Sequence, residues 1–205
     1  MDQIYTLTML ISITSFALAS TMTPGPNNIM LLSSGLTFGY RRTVPHALGV
    51  NFGFPVMVIC VGLGVGKLFE IFPFIYTILK VVGISYLIWM AWHIANTKGA
   101  ATTDNKKDKP FTFLQAALFQ WVNPKAWVMA VSSTAAFITD HQIAGVQVMI
   151  ISCIYFFSAI LSTNSWALGG VILKQFLQNE RLVRMFNITM AVLIIGSILP
   201  FIFGH

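Results

Sequence analysis

Thr23-Pro24-Gly25-Pro26-Asn27-Asn28 breaks an apolar run over residues 4–38, and Asn123-Pro124-Lys125 breaks another over residues 111–139. A helix that crosses a bilayer hides its backbone polar groups by bonding them internally. A break at membrane depth must therefore line protein or a cavity. Two such breaks in corresponding positions of two halves predict a transport site near the bilayer midplane. An isolated proline such as Pro55 reads as a simple kink instead, because it brings no polar neighbours.

The rest of the chain agrees with a membrane setting. Of its 205 residues 56% are hydrophobic and only 9% charged, with mean hydropathy +0.77. Soluble domains carry roughly a quarter charged residues. Apolar stretches of spanning length leave no room for a separate soluble domain, so residues 1–205 read as one membrane domain. The net charge of +6 fits basic loops facing anionic lipid rather than nucleic acid. Ala17-Leu18-Ala19 mimics a leader cleavage site, yet the segment before it has no Lys or Arg and carries Asp2, so no cleavage is expected. Cys60 and Cys153 belong to no metal-ligating or redox pattern and read as buried small hydrophobes; no metal or cofactor is expected.

Apolar runs between charged or turn-rich breaks predict six spans, at residues 4–38, 45–66, 73–96, 111–139, 143–172 and 182–203. The odd loops contain Arg41, Arg42, Lys98, Lys106, Lys107, Lys109, Lys174, Arg181 and Arg184, nine of the twelve basic residues; the even loops have Lys67 alone. Positive charge marks the cytoplasmic side, so both termini are expected outside. Three spans per half, entered from opposite sides, predict an all-α protein with six transmembrane helices as a 3+3 inverted repeat. The first repeat is 1–96, the cytoplasmic linker 97–110 and the second repeat 111–205, with spans one and four broken at proline. Gly35/Gly39, Gly49/Gly53 and Gly62/Gly66 form G-x-x-x-G pairs that read as close packing within the chain, a homodimer seam being the other use of that motif.

At 1.5 Å per residue, Asn27 and Asn123 lie roughly 20 Å in from the ends of their spans, near the bilayer centre. Helical stretches beginning at Asn27 and Pro124 would then point their positive N-terminal ends at a common centre, where an anion can bind. Pro24, Gly25, Pro26 and Pro124 shape the breaks. Lys125 is the sharpest residue, since a lysine there costs about 3 kcal/mol on insertion scales and needs a cavity or a partner. All six acids (Asp2, Glu70, Asp104, Asp108, Asp140 and Glu180) fall in loops or termini, so Lys125 is expected to await an anionic ligand. Asn27, Asn28, Asn123 and Lys125 are the candidate substrate residues, joined by Asn164 from the polar cluster Ser162-Thr163-Asn164-Ser165. His46 and His93, near cytoplasmic ends, read as solvated.

Met22-Thr23-Pro24-Gly25-Pro26-Asn27-Asn28, followed by Gly35, Gly39, Arg41 and Gly49, resembles the first signature of the LysE/RhtB family of bacterial amino-acid exporters. Gln120-Trp121-Val122-Asn123-Pro124-Lys125-Ala126 resembles its second. Residues 21–34 and Asn164-Ser165-Trp166-Ala167-Leu168 look most like the branch that exports cysteine and O-acetylserine, with homoserine, threonine and leucine exporters sharing the main motifs. The resemblance implies efflux of a small zwitterionic amino acid across a bacterial inner membrane. An intramembrane enzyme is disfavoured because no catalytic triad, H-E-x-x-H or intramembrane carboxylate pair occurs. A channel-like protein differs from a carrier in showing flux without saturation.

Overall fold

The computed structural model describes residues 4–65, 71–96, 109–140, 142–177 and 180–203, and every regular element among them is helical. Helix α1, Leu7–Met22, starts where the Thr6 hydroxyl accepts from the Met9 amide, and it stops at Thr23. Pro24 cannot continue the hydrogen-bond ladder, and α2, Pro26–Phe38, resumes with proline in its first turn, where the missing N–H goes unused. The two helices meet at 55°. Gly39, at φ +78°, ends α2 in a conformation that favours glycine, and α3 starts at once as Tyr40–Cys60, continuing through a π-helical turn, Val61–Val65. Helix α4 is Pro73–Asn96, and α5, Phe113–Phe119, opens with a Thr112/Gln115 capping box. Then come α6, Pro124–Phe137, α7, Ala144–Lys174, and α8, Glu180–Phe203.

Among the described residues, Tyr40–Val65, Ala144–Lys174 and Arg181–Leu199 are long and apolar enough to cross a membrane, and the bent pair α1/α2 makes a fourth span if counted as one. Large apolar side chains on their outer faces, such as Leu7, Phe157, Met185 and Val192, are exposed, as a lipid-facing surface requires.

Helix α7 runs up the middle against α1, α2 and α3, while α4 packs on α8 and α5 on α3. Glycine sets these approaches. A Cβ on Gly35 would lie 2.1 Å from the Ala167 carbonyl oxygen, and one on Gly170 would lie 2.0 Å from that of Leu32, so α2 and α7 touch backbone to backbone. Gly49 and Gly53 meet Phe113 and Ala117 of α5 in the same way, and Gly62 meets Val148 of α7. Gly83 of α4 abuts the Val122 carbonyl beside the second break. The glycine pairs thus serve packing inside the chain, except that Gly39 is a turn and Gly66 lies outside the described residues.

Three sequence expectations change. Helix α3 begins five residues before Pro45, because Gly39 supplies the break and Pro45 is tolerated inside the helix. His46 is consequently carried into the bundle; it is 1% exposed, and its ring lies 5.3 Å from that of Phe111. Cys153 is exposed on the outside of α7 and Cys60 is half-buried; both thiols are free. Lys67 and residues 97–108 of the linker, with Lys98, Lys106 and Lys107, lie outside the described residues, as does the side chain of His93.

Candidate functional site

The end of α1 leaves backbone carbonyls without an intrahelical partner, as every helix end does. Side chains from three other elements satisfy them. The Asn28 amide donates to Thr21 O at 2.7 Å and to Thr23 O at 2.8 Å. The Ser162 hydroxyl of α7 donates to Thr21 O at 2.7 Å. Lys125, at the start of α6, donates from Nζ to Thr23 O at 2.7 Å, to Thr23 Oγ1 at 2.8 Å and to Pro24 O at 3.3 Å. The Thr23 hydroxyl proton is already directed at Ser20 O, 2.9 Å away, so its oxygen accepts from Lys125. Three acceptors around one nitrogen suit the three protons of a lysine ammonium. In the structure its partners are carbonyl and hydroxyl oxygens at the negative end of the α1 dipole.

The second break is tied to the first by an amide pair. Asn27 Nδ2 donates to Gln120 Oε1 at 2.8 Å, and Gln120 Nε2 returns a bond to Asn27 Oδ1 at 3.2 Å and another to Ala116 O at 2.8 Å. Gln120 is fully buried. Asn123 Oδ1 accepts from the Lys125 backbone amide and caps α6, while no side chain caps the start of α2. The Trp127 indole donates to Trp121 O at 2.8 Å and closes the turn that carries Asn123.

These groups surround a small cavity, about 420 Å³ of empty space with its open mouth included. Its polar wall includes Ser20, Thr21, Asn27, Asn28, Gln120, Lys125, Ser162 and Thr163, and Val50, Phe54, Met129 and Ala159 form the apolar side. The structure therefore brings Gly25, Asn27, Asn28 and Lys125 together. Pro26 and Pro124 head the two helices beside the cavity without lining it. Asn123 is turned to its cap. Asn164 sits apart, with Oδ1 accepting from the Tyr40 hydroxyl and Nδ2 donating to Ile160 O. Gln120 and Thr163, which bonds Asn51 at 3.0 Å, were not singled out in the sequence. Gln120 heads the second motif, and a glutamine inside an apolar run was the available signal.

Further along α2 lies a second cavity, with about 1010 Å³ of empty space, lined in part by Met30, Ser34, His46, Lys109, Phe111 and Asn187. Neither His46 nitrogen has a hydrogen-bond partner among the described residues. No group of three or more potential metal-ligating side chains occurs among the described residues either.

A bundle of membrane-crossing helices with two helix breaks joined across a polar cavity has the make-up of a transport protein. Residues 18–202 match the LysE-type translocator family, and the chain belongs to that family. It is a translocator, not an enzyme. The cysteine/O-acetylserine efflux protein of Escherichia coli strain K12 is 30% identical over 191 residues, which cover 93% of this chain and 95% of that protein. The protein of the same name from Shigella sonnei strain Ss046 matches to the same extent. No solved structure matches the chain.

Proposed function

We propose that this protein is a secondary exporter of small neutral amino acids, cysteine or O-acetylserine in kind, across a bacterial inner membrane. The observation that carries the reading is the meeting of the two helix breaks, where Lys125 and the Asn27/Gln120 pair bridge the halves beside one cavity. A zwitterion needs a cation for its carboxylate and acceptors for its ammonium, and that cavity offers both. The uncapped start of α2 adds donors on the carboxylate side. Asn27, Asn28 and Lys125 are the substrate residues of this reading. Asn123 holds the second break in shape, and Asn164 acts from outside the cavity. Export, and not uptake, is supported by the two relatives, which are efflux proteins.

In this reading the chain crosses the membrane six times as a 3+3 inverted repeat with both termini periplasmic. The basic residues of the odd loops support that orientation. A reporter active only in the periplasm should work when fused after His205, and one inserted within residues 102–109 should work only in the cytoplasm. The opposite pattern would reverse the orientation, and activity of both reporters on the same side would overturn the inverted repeat.

Purified protein in liposomes loaded with labelled L-cysteine under reducing conditions tests the transport reading directly. Saturable efflux, competed by O-acetylserine, is the expected result. Flux that rises linearly with concentration would identify a channel. Saturable flux of threonine, homoserine or leucine without cysteine would move the substrate to another branch.

A further inference from the structure

The acceptors around Lys125 form a cage suited to any primary ammonium. Thr23 O, Thr23 Oγ1 and Pro24 O lie 2.7, 2.8 and 3.3 Å from Nζ, at the negative end of α1. Asn28 fixes the cage from behind by donating to the same Thr23 carbonyl. The ε-ammonium of lysine and the α-ammonium of an amino acid are chemically the same group. We propose that this cage is the ammonium subsite of the substrate, and that Lys125 is its internal occupant, displaced when a substrate binds.

The exchange is balanced in charge and in hydrogen bonds. The incoming ammonium takes the three acceptors, and Lys125, moved aside, meets the incoming carboxylate. Neither cation is left without a partner, which matters because an unpaired charge at this depth is costly. Gly25 leaves room for the resting lysine. A Cβ there would stand 2.7 Å from Lys125 Cδ and 3.0 Å from Nζ, so any other residue would press on the lysine chain at its resting place. Both Gly25 and Lys125 line the cavity, so the displaced ammonium has polar space beside it. Two requirements on the ligand follow. A primary ammonium is needed to satisfy three acceptors, and a carboxylate is needed to draw Lys125 out. This inference rests on the transport reading above, and adds to it which atoms recognise the amine.

Binding of L-cysteine and of cysteamine, its counterpart without a carboxylate, to the full-length protein in detergent separates the possibilities. Wild-type protein should bind cysteine and discriminate against cysteamine by about a hundredfold, since cysteamine has nothing to offer the displaced lysine. In Lys125→Met the cage stands open, and the cysteine-to-cysteamine ratio should fall by about tenfold or more through improved binding of the amine. N,N-Dimethyl-L-cysteine, tested on wild-type protein alone, should compete about tenfold more weakly than cysteine, a measurement that stands even where the variant fails to fold. Unchanged discrimination in a folded Lys125→Met, or equal competition by the dimethylated compound, overturns the cage. Should wild-type protein bind no amino acid and move none in liposomes, the transport reading itself fails and the subsite goes with it. Cysteine efflux with indifferent amine chemistry leaves transport standing and removes only the subsite.

Discussion

Gly170→Ala should lower the thermal unfolding midpoint of the detergent-solubilised protein by several degrees, and Gly35→Ala should do the same. At both positions the added methyl group would lie about 2 Å from a carbonyl oxygen of the facing helix, 2.0 Å from Leu32 O and 2.1 Å from Ala167 O. Backbone cannot rotate away as a side-chain tip can, so α2 and α7 must move apart along their crossing. Overpacking of this kind costs roughly 1–3 kcal/mol, and occasionally more. Function should fall further than stability, because α2 carries Asn27 and Asn28 into the cavity and α7 carries Ser162. One control lies in α7 itself and the other in α8. Gly169 is adjacent, yet a Cβ there would meet only the Leu32 side chain at an ordinary 3.5 Å, and at Gly196 in α8 it would meet nothing within 4 Å. Alanine at Gly169 or Gly196 should be neutral or stabilising by up to about 1 kcal/mol, as expected for glycine removed from a helix interior. If all four variants melt together, close contact between α2 and α7 is not what fixes the broken helix.

What could be read from the sequence divides along a physical line. Local chemistry was legible. Proline and glycine placed the end of α1 and the starts of α2 and α6 within a residue or so, because these residues act on their own backbone. Asn27, Asn28 and Lys125 stood out because a polar group in an apolar run requires a partner. Which partner it finds depends on contacts between segments far apart in the chain. Nothing local says that Asn27 will pair with Gln120, or that the α1 carbonyls will face Lys125. A broken helix exposes one end of each sign, so the acceptors at the end of α1 come with the same break that frees the donors of α2. Asn123 illustrates the opposite limit: its motif marked it as a site residue, yet its side chain caps the helix that follows. His46 reads as the solvated end of a span that starts at Pro45, but Gly39 begins that helix earlier, and the imidazole lies buried inside the bundle.

Asn28 offers the sharpest test of how the broken helix is held, because its amide supplies two donors that a carboxylate lacks. It is 6% exposed, and its Nδ2 donates to Thr21 O and Thr23 O while Oδ1 faces the Ser162 hydroxyl at 3.5 Å. Asn28→Asp keeps the size and shape and, in its ionised form, turns an acceptor toward two carbonyl oxygens that already accept. Loss of both donors costs on the order of 1–3 kcal/mol, and the new carboxylate would draw Lys125 away from the Thr23 carbonyl they share, so efflux at neutral pH should fall to background. Asn28→Leu removes the same donors at a similar cost but leaves Lys125 in place, so it should be the less severe variant for efflux. The pH dependence distinguishes the two. Protonation restores one O–H donor to the aspartic acid, so Asn28→Asp should regain stability and some efflux as pH falls, whereas Asn28→Leu has nothing to titrate. Thermal unfolding and liposome efflux of both variants, measured from neutral pH down to about pH 5, make the comparison, with wild-type protein correcting for general effects of acid. Parallel profiles for the Asp and Leu variants would mean that the Asn28 amide is not what joins the end of α1 to the start of α2.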